Sequence, residues 1–373
     1  MTREIRVSVS PGERRTALVE DGRAVEFWVE RPSRPDGVGD LLRARVAAIA
    51  PAMAGAFCAL PDGVTGFLPE SEAGTAKAPI AKQVNEGMAV VVRVTRAAQG
   101  GKGPRLTARL TPEEAGFAAA AEPGAPLLLR RGRPAALRLA ARYPGAPLLC
   151  DGLAQAAAWG VPPLRGPAFD DELEAGFDEA CGAEVPLPGG GRMTIHPTPA
   201  LVAIDVDAGS AAGARGDALA ALNAAAVAEA ARQIRLRNLA GAILVDVAGL
   251  PAKKRAALTE PFAAALAGDP LAKLVGVTGL GLFEIQRARI HAPLHEAMAG
   301  PLPVGLAALR AAAREAASRG GARLALRAAP AVITALRDLP GALEDYAAGA
   351  GFALALRPDA TTSGWMIEEA ADG

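Results

Sequence analysis

Two apolar runs that both end in aspartate, LVAID and AILVD, constrain this chain more than any other feature. They place Asp205 and Asp246 41 positions apart (246 − 205), with one loop and one long helical stretch over residues 218–240 between them. A strand, a helix and a second strand at that spacing form a βαβ unit, which brings both strand ends to one edge of a sheet. Ligands of open α/β sheets bind in the crevice beyond those ends. Two carboxylates arriving there with no Cys or His nearby suit a hard cation held through oxygen. Magnesium takes one or two carboxylates and keeps several waters. Asp207 stands two positions after Asp205, so on an extended strand it shares the same face. The competing reading makes each aspartate a helix N-cap or turn residue. That explains either one alone better than it explains the pair.

The rest of the chain divides around this unit. Its 373 residues suit two to four compact units, and 51% hydrophobic residues supply their interiors. Lys plus Arg and Asp plus Glu both number 40. With no net charge, a nucleic-acid surface has to be local. Cys58, Cys150 and Cys181 are scattered, which argues against both a disulfide framework and a thiolate zinc site. The N-terminus lacks the apolar segment of a signal peptide, and no run approaches the roughly 20 apolar residues that span a bilayer. The expectation is a cytoplasmic protein without a membrane span.

Residues 3–31 alternate as strands, turning at Pro11–Gly12 and again at Asp21–Gly22. RPSRPDGVGD reads as a linker. Residues 40–110 hold five short strands and no long helix, the size of an OB-fold barrel. APLLLRRGRPAALRLAARYPGAPLLCDG reads as strand, short helix and strand, and FDDELEAGFDEAC as a helix with an acidic first turn. A hairpin turns at Gly189–Gly191. After Asp246, PAKKRAALTEPFAAALAG reads as a helix and KLVGVTGLGLFEIQRARI as a strand leading into a helix. A small α+β unit follows residue 293.

Several of these runs carry a resemblance. Gly39-Asp40-Leu41, Ala56-Phe57, the Asp62-Gly63 turn, Gly66-Phe67-Leu68-Pro69 and Glu86-Gly87-Met88 resemble, in that order, the S1 domain, an RNA-binding OB-fold. Ala203 through Asp207, Arg215-Gly216, Leu222-Asn223, Ala231 through Leu239 and Gly241 through Asp246 resemble the catalytic core of the ribonuclease E/G family. So do Gly281 through Ile285 and Arg287-x-Arg289. The implied fold is α/β with an inserted small β-barrel. An RNase H-like scaffold (1–35 and 112–195) is interrupted by an S1-type OB-fold (36–111). A DNase I-like catalytic unit (196–292) and a small α+β C-terminal domain (293–373) follow.

The resemblance also implies a function. It is a magnesium-dependent endoribonuclease (with manganese as an alternative cation) that cuts single-stranded RNA with a metal-activated water, leaving 5′-phosphate and 3′-hydroxyl ends. Asp205 and Asp246 would hold the metal, and Asp207 would join them as a catalytic residue. Phe57 and Phe67 would stack bases, while Lys102 and Arg105 would contact phosphate. Arg215, Lys273, Arg287 and Arg289 would line the RNA path. Solvated surface charge is the competing reading of each cation.

Four departures from the family pattern matter. Asp207 stands where the best-known members carry asparagine. Gly249 replaces a second acidic position. The 5′-end sensor region is reduced, so no 5′-end sensing is expected. The cysteine zinc-link is missing, and His291 and His295, with Pro293 between them, do not replace it. The small domain leaves room for a homodimer without metal, and no scaffold tail for partners follows it. Two rival readings remain: a non-catalytic RNA-binding or ribosome-associated protein, and a phosphatase or deoxyribonuclease on the same scaffold.

Overall fold

A computed structural model describes residues 2–74, 78–209, 216–320 and 322–370. Arg215 lies outside the described residues. The chain forms two compact units, one of Met1–Arg34, Ala135–Arg289 and Pro293–Gly373, the other of Pro35–Pro134 with Ile290–Ala292.

The first unit opens on an antiparallel meander of β1 (Arg3–Ser10), β2 (Glu13–Glu20) and β3 (Arg23–Glu30). Alternation between apolar and polar residues dictates these strands, and Asp21 adopts a positive φ of 47° at the expected turn. Every residue of β2 is buried, its charged ones included. They survive there by pairing: Arg15 Nε lies 3.0 Å from Glu13 Oε1, and Arg3 Nε lies 2.9 Å from Glu20 Oε1.

The chain then builds the second unit. Five strands, β4 (Leu41–Ala50), β5 (Gly55–Ala59), β6 (Thr65–Pro69), β7 (Ala89–Arg96) and β8 (Arg105–Thr107), close into a barrel in the order β5-β6-β8-β7-β4, with β4 pairing back to β5. The five-stranded barrel expected from residues 40–110 is present. Alternate residues such as Leu42, Ala44, Val46, Leu68, Val92 and Leu106 fill its interior. Gly66 has no room for a side chain, since a Cβ there would lie 2.7 Å from Leu106 Cδ1. The helix Pro112–Ala120 carries a capping box between Thr111 and Glu114. Strand β9 (Leu127–Arg130) then adds to β4, with Leu42 opposite Leu128.

Back in the first unit, β10 (Leu148–Cys150) pairs in parallel with β1, placing Ile5 beside Leu148. The strand–helix–strand pattern of residues 126–150 therefore does not form one local α/β unit: its two strands join different sheets. Local pattern fixes the element type, whereas the sheet edge that each strand completes is a long-range choice.

A six-stranded sheet dominates the rest of this unit. Its order is β11 (Glu184–Pro186), β12 (Arg192–Pro197), β13 (Val202–Asp207), β14 (Gly241–Asp246), then β16 (Phe283–Arg287) and β15 (Ala272–Val277). Only β13 and β14 run parallel, as their helical crossover, Gly216–Leu236, requires. That helix and Thr259–Leu266 cover one face of the sheet through Ile204, Val206, Ile243, Val245, Phe283 and Ile285. The expected helix after KLVGVTGLGL is instead strand β16. Its residues alternate buried and exposed along FEIQR, a period of two that only a strand can satisfy. The chain ends in a three-stranded sheet, β18 (Ala355–Pro358), β17 (Leu324–Ala328) and β19 (Trp365–Glu369) in that order, packed under the helix Pro301–Ser318. Among the described residues, no helix is long and apolar enough to cross a membrane.

Candidate active site at the strand ends

The parallel pairing of β13 with β14 sets Asp205 directly beside Asp246. Ile204 and Val206, like Val245 and Val247, point into the helix-covered core, so both aspartates project from the opposite, open face. Neighbouring strands lie about 4.8 Å apart, a distance that two carboxylates can share across one cation. Asp207 lies on this face too, beside Arg192 of β12. Three cross-strand rows follow inward from the strand ends. Arg192 and Asp207 form the first, Thr194, Asp205 and Asp246 the second, and His196, Ala203, Leu244 and Glu284 the third.

The three carboxylates differ in their surroundings. Asp207 is occupied on both oxygens: Oδ1 accepts from Gly209 N–H at 2.9 Å, and Oδ2 lies 3.2 Å from Arg192 Nη2. The Gly209 amide and then Arg192 hold this carboxyl below its usual range. Asp246 Oδ1 accepts from Arg255 Nη1 at 2.6 Å. Asp205 has no ion-pair partner among the described residues and is exposed. A single buried asparagine holds the loop after Asp246. Asn223 Nδ2 donates to Ala248 O at 2.9 Å, and its Oδ1 accepts from Ala248 N–H at the same distance. The crossover helix is thereby stitched to the loop beyond β14. Gly249 follows with φ of 57°, and a Cβ there would lie 3.2 Å from Leu219.

Sequence reasoning passed over Arg192, Asn223 as a stitch, and Arg255. Two signals could have found them. Arg192 sits two residues before Thr194 on a strand that must pair with β13, and Arg255 is embedded in the basic run AKKR just beyond a strand-end aspartate.

The expected RNA-contacting residues separate into three groups. Phe57 and Phe67 are cross-strand partners on the barrel's outer surface, half-buried, with ring centroids 5.5 Å apart and tilted by 60°. Arg105 continues their row from β8, and Arg96 of β7 follows it. Lys102 is exposed in the preceding turn. Lys273 lies on the open face of the large sheet in a row with Gln286 and Ala242. Ala242 and Asp246 are four steps apart along β14, roughly 13 Å. Arg287 and Arg289, expected to line an RNA path, are committed internally. Arg287 is buried, with Nε 2.6 Å from Asp269 and Nη1 2.6 Å from Asn238. Arg289 forms a two-pronged pair with Glu296 at 2.6 and 2.7 Å. A guanidinium buried in this way, as that of Arg287 is, is not available to phosphate. His291 pairs with Asp36 at 2.6 Å. A cleft of about 930 Å³ lined by Arg6, Phe27, Asp170 and Arg232 excludes all three strand-end aspartates.

The donor set fits magnesium. Among the described residues no cluster of three or more His, Cys, Asp or Glu side chains could hold a metal ion. Two adjacent carboxylates on an open, wet face are nevertheless the set that a largely hydrated magnesium takes, and they would not satisfy zinc.

This arrangement defines a mixed α/β domain with a paired-carboxylate site at the ends of two parallel strands. Residues 167–290 match the model of the ribonuclease E/G family. It is 38% identical over 136 residues to ribonuclease E of Nostoc sp. (strain PCC 7120 / SAG 25.82 / UTEX 2576), covering 35% of this chain and 20% of that protein. It is 35% identical over 131 residues to the chloroplastic ribonuclease E/G-like protein of Arabidopsis thaliana, covering 33% of this chain and 13% of that protein. A longer likeness, 25% identity over 406 aligned positions, relates 81% of this chain to 83% of ribonuclease G of Escherichia coli (strain K12). The chain thus spans about a fifth of the length of the Nostoc relative and most of the length of the E. coli one.

Proposed function

We propose that the protein is a magnesium-dependent endoribonuclease acting on single-stranded RNA, leaving 5′-phosphate and 3′-hydroxyl ends. The observation that carries this reading is the side-by-side register of Asp205 and Asp246 on the open sheet face. Magnesium held by these two would supply Lewis-acid activation of the phosphodiester and of a water nucleophile. The residues themselves do the rest. Asp205 and Asp246 bring two carboxylates together at the strand ends. Asp207, bound on both oxygens, orients Arg192 toward the strand end. Phe57 and Phe67 offer bases a stacking surface, and Arg105 extends it with a phosphate contact.

The domain scheme that accompanies this reading is an RNase H-like scaffold around an S1-type barrel, a DNase I-like catalytic unit and a small C-terminal domain. Incubation of the protein with a 5′-labelled single-stranded RNA, with and without magnesium, tests the function. Internal cleavage that needs the cation and disappears in Asp205→Ala is expected. Cleavage that persists in Asp205→Ala, or its absence from the wild type, refutes the reading.

A further inference from the structure

Resting on the nuclease reading, we propose that Arg255 is a catalytic residue whose free amino group binds the scissile phosphate. Arg255 closes the four-residue helix Ala252–Arg255, and three of its N–H groups are fixed by protein. Its Nε donates to Leu250 O at 2.8 Å, and Nη1 donates both to Asp246 Oδ1 at 2.6 Å and to Gly281 O at 2.8 Å. The side chain is only 14% exposed. Gly281, with φ of 88°, lies flat against it: a Cβ there would stand 3.2 Å from Arg255 Cδ and 3.4 Å from Nε. Nη2 has no protein acceptor among the described residues and is not sealed from solvent. The guanidinium is therefore locked in place with one pair of donors unspent, beside a carboxylate of the pair.

Charge favours this assignment. Asp205 and Asp246 carry two negative charges, and one divalent cation only neutralises them. A phosphodiester brings a further negative charge, which grows on the non-bridging oxygens as the bond breaks. Arg287 and Arg289 are paired elsewhere, and Lys273 lies two strands across from Asp246 and roughly 13 Å along the strand direction. Arg192 is more than half exposed and already shared with Asp207. Among the described cations Arg255 is both rigid and adjacent, and donors held in advance stabilise developing charge without reorganising. Its bond to Asp246 Oδ1 leaves Oδ2 for a metal, so the two roles do not compete for one oxygen.

The test combines manganese binding, followed by electron paramagnetic resonance, with cleavage kinetics in magnesium, for wild type, Arg255→Ala and Arg255→Lys. Thermal melting of each variant checks folding, and Arg255→Lys covers the case in which the alanine variant does not fold. The expected result is manganese affinity at or above the wild-type value, because a competing positive charge has left. The alanine variant should lose about 100-fold in kcat with less than about threefold change in KM, and lysine should restore part of the loss. Two results overturn the proposal: kcat within about threefold of wild type in both variants, or loss of manganese binding in step with kcat, which would make Arg255 a positioning residue for Asp246 only. A wild-type protein that binds manganese but cuts no RNA refutes the nuclease reading itself. That outcome is distinct from a wild type that cuts and variants that cut equally well.

Discussion

Asn223 offers the sharpest test of how the fold holds its site. Its side chain is fully buried and exchanges two hydrogen bonds with the backbone of Ala248, two residues beyond Asp246. Asn223→Ala strands the N–H and C=O of a residue that is itself buried. Each unmet buried group costs roughly 1–3 kcal/mol, so the pair should cost about 3 kcal/mol after partial relaxation. For a unit of this size, about 2–4 °C per kcal/mol, the expected fall in Tm is about 6–12 °C. Differential scanning calorimetry measures it, alongside urea unfolding at constant m. The loop after Asp246 loses its tether as well, so kcat should fall more than stability alone explains at a temperature where the variant remains folded. A Tm within about 2 °C of wild type would refute the claim that these two bonds carry the loop. An unchanged kcat would refute its link to the site.

Other outcomes follow from particular residues. Arg287→Ala should cost about 3–5 kcal/mol by leaving Asp269 charged, buried and without its ion-pair partner in the turn before β15, and should not alter RNA affinity per folded molecule; a binding titration with unchanged melting would contradict it. Phe67→Ala should weaken binding of a short single-stranded RNA by about 1–3 kcal/mol in fluorescence anisotropy, since half of a two-ring surface is lost. Asp359 has its carboxyl lowered to about 2, first by the Thr361 hydroxyl, then by the Thr361 amide and by Arg327. A depressed folded value means that its contribution to stability is present above the ordinary carboxylate range and fades as pH falls toward 2. Carbon-13 NMR titration should find that midpoint, and a normal midpoint would refute the bonding at that turn.

The strands of residues 3–30, the five-stranded barrel and the paired aspartates were legible because each rests on local chemistry. Alternation sets the strand period, glycine and aspartate mark turns, and an apolar run closed by a carboxylate marks a strand end. The aspartate pair was readable even in its partnership, because a helical crossover between parallel strands leaves little choice of register. Three-dimensional packing decided the rest. FEIQR became a strand because an open edge beside β14 was there to be filled. Arg287 turned inward and Arg289 formed an ion pair because Asp269 and Glu296, distant by 18 and 7 positions, waited as partners. Arg255 reached Asp246 through a turn whose glycine leaves space for it. A charged side chain reads the same in sequence whether it meets solvent, substrate or a buried acid, since its partner is chosen by the fold and not by its neighbours along the chain.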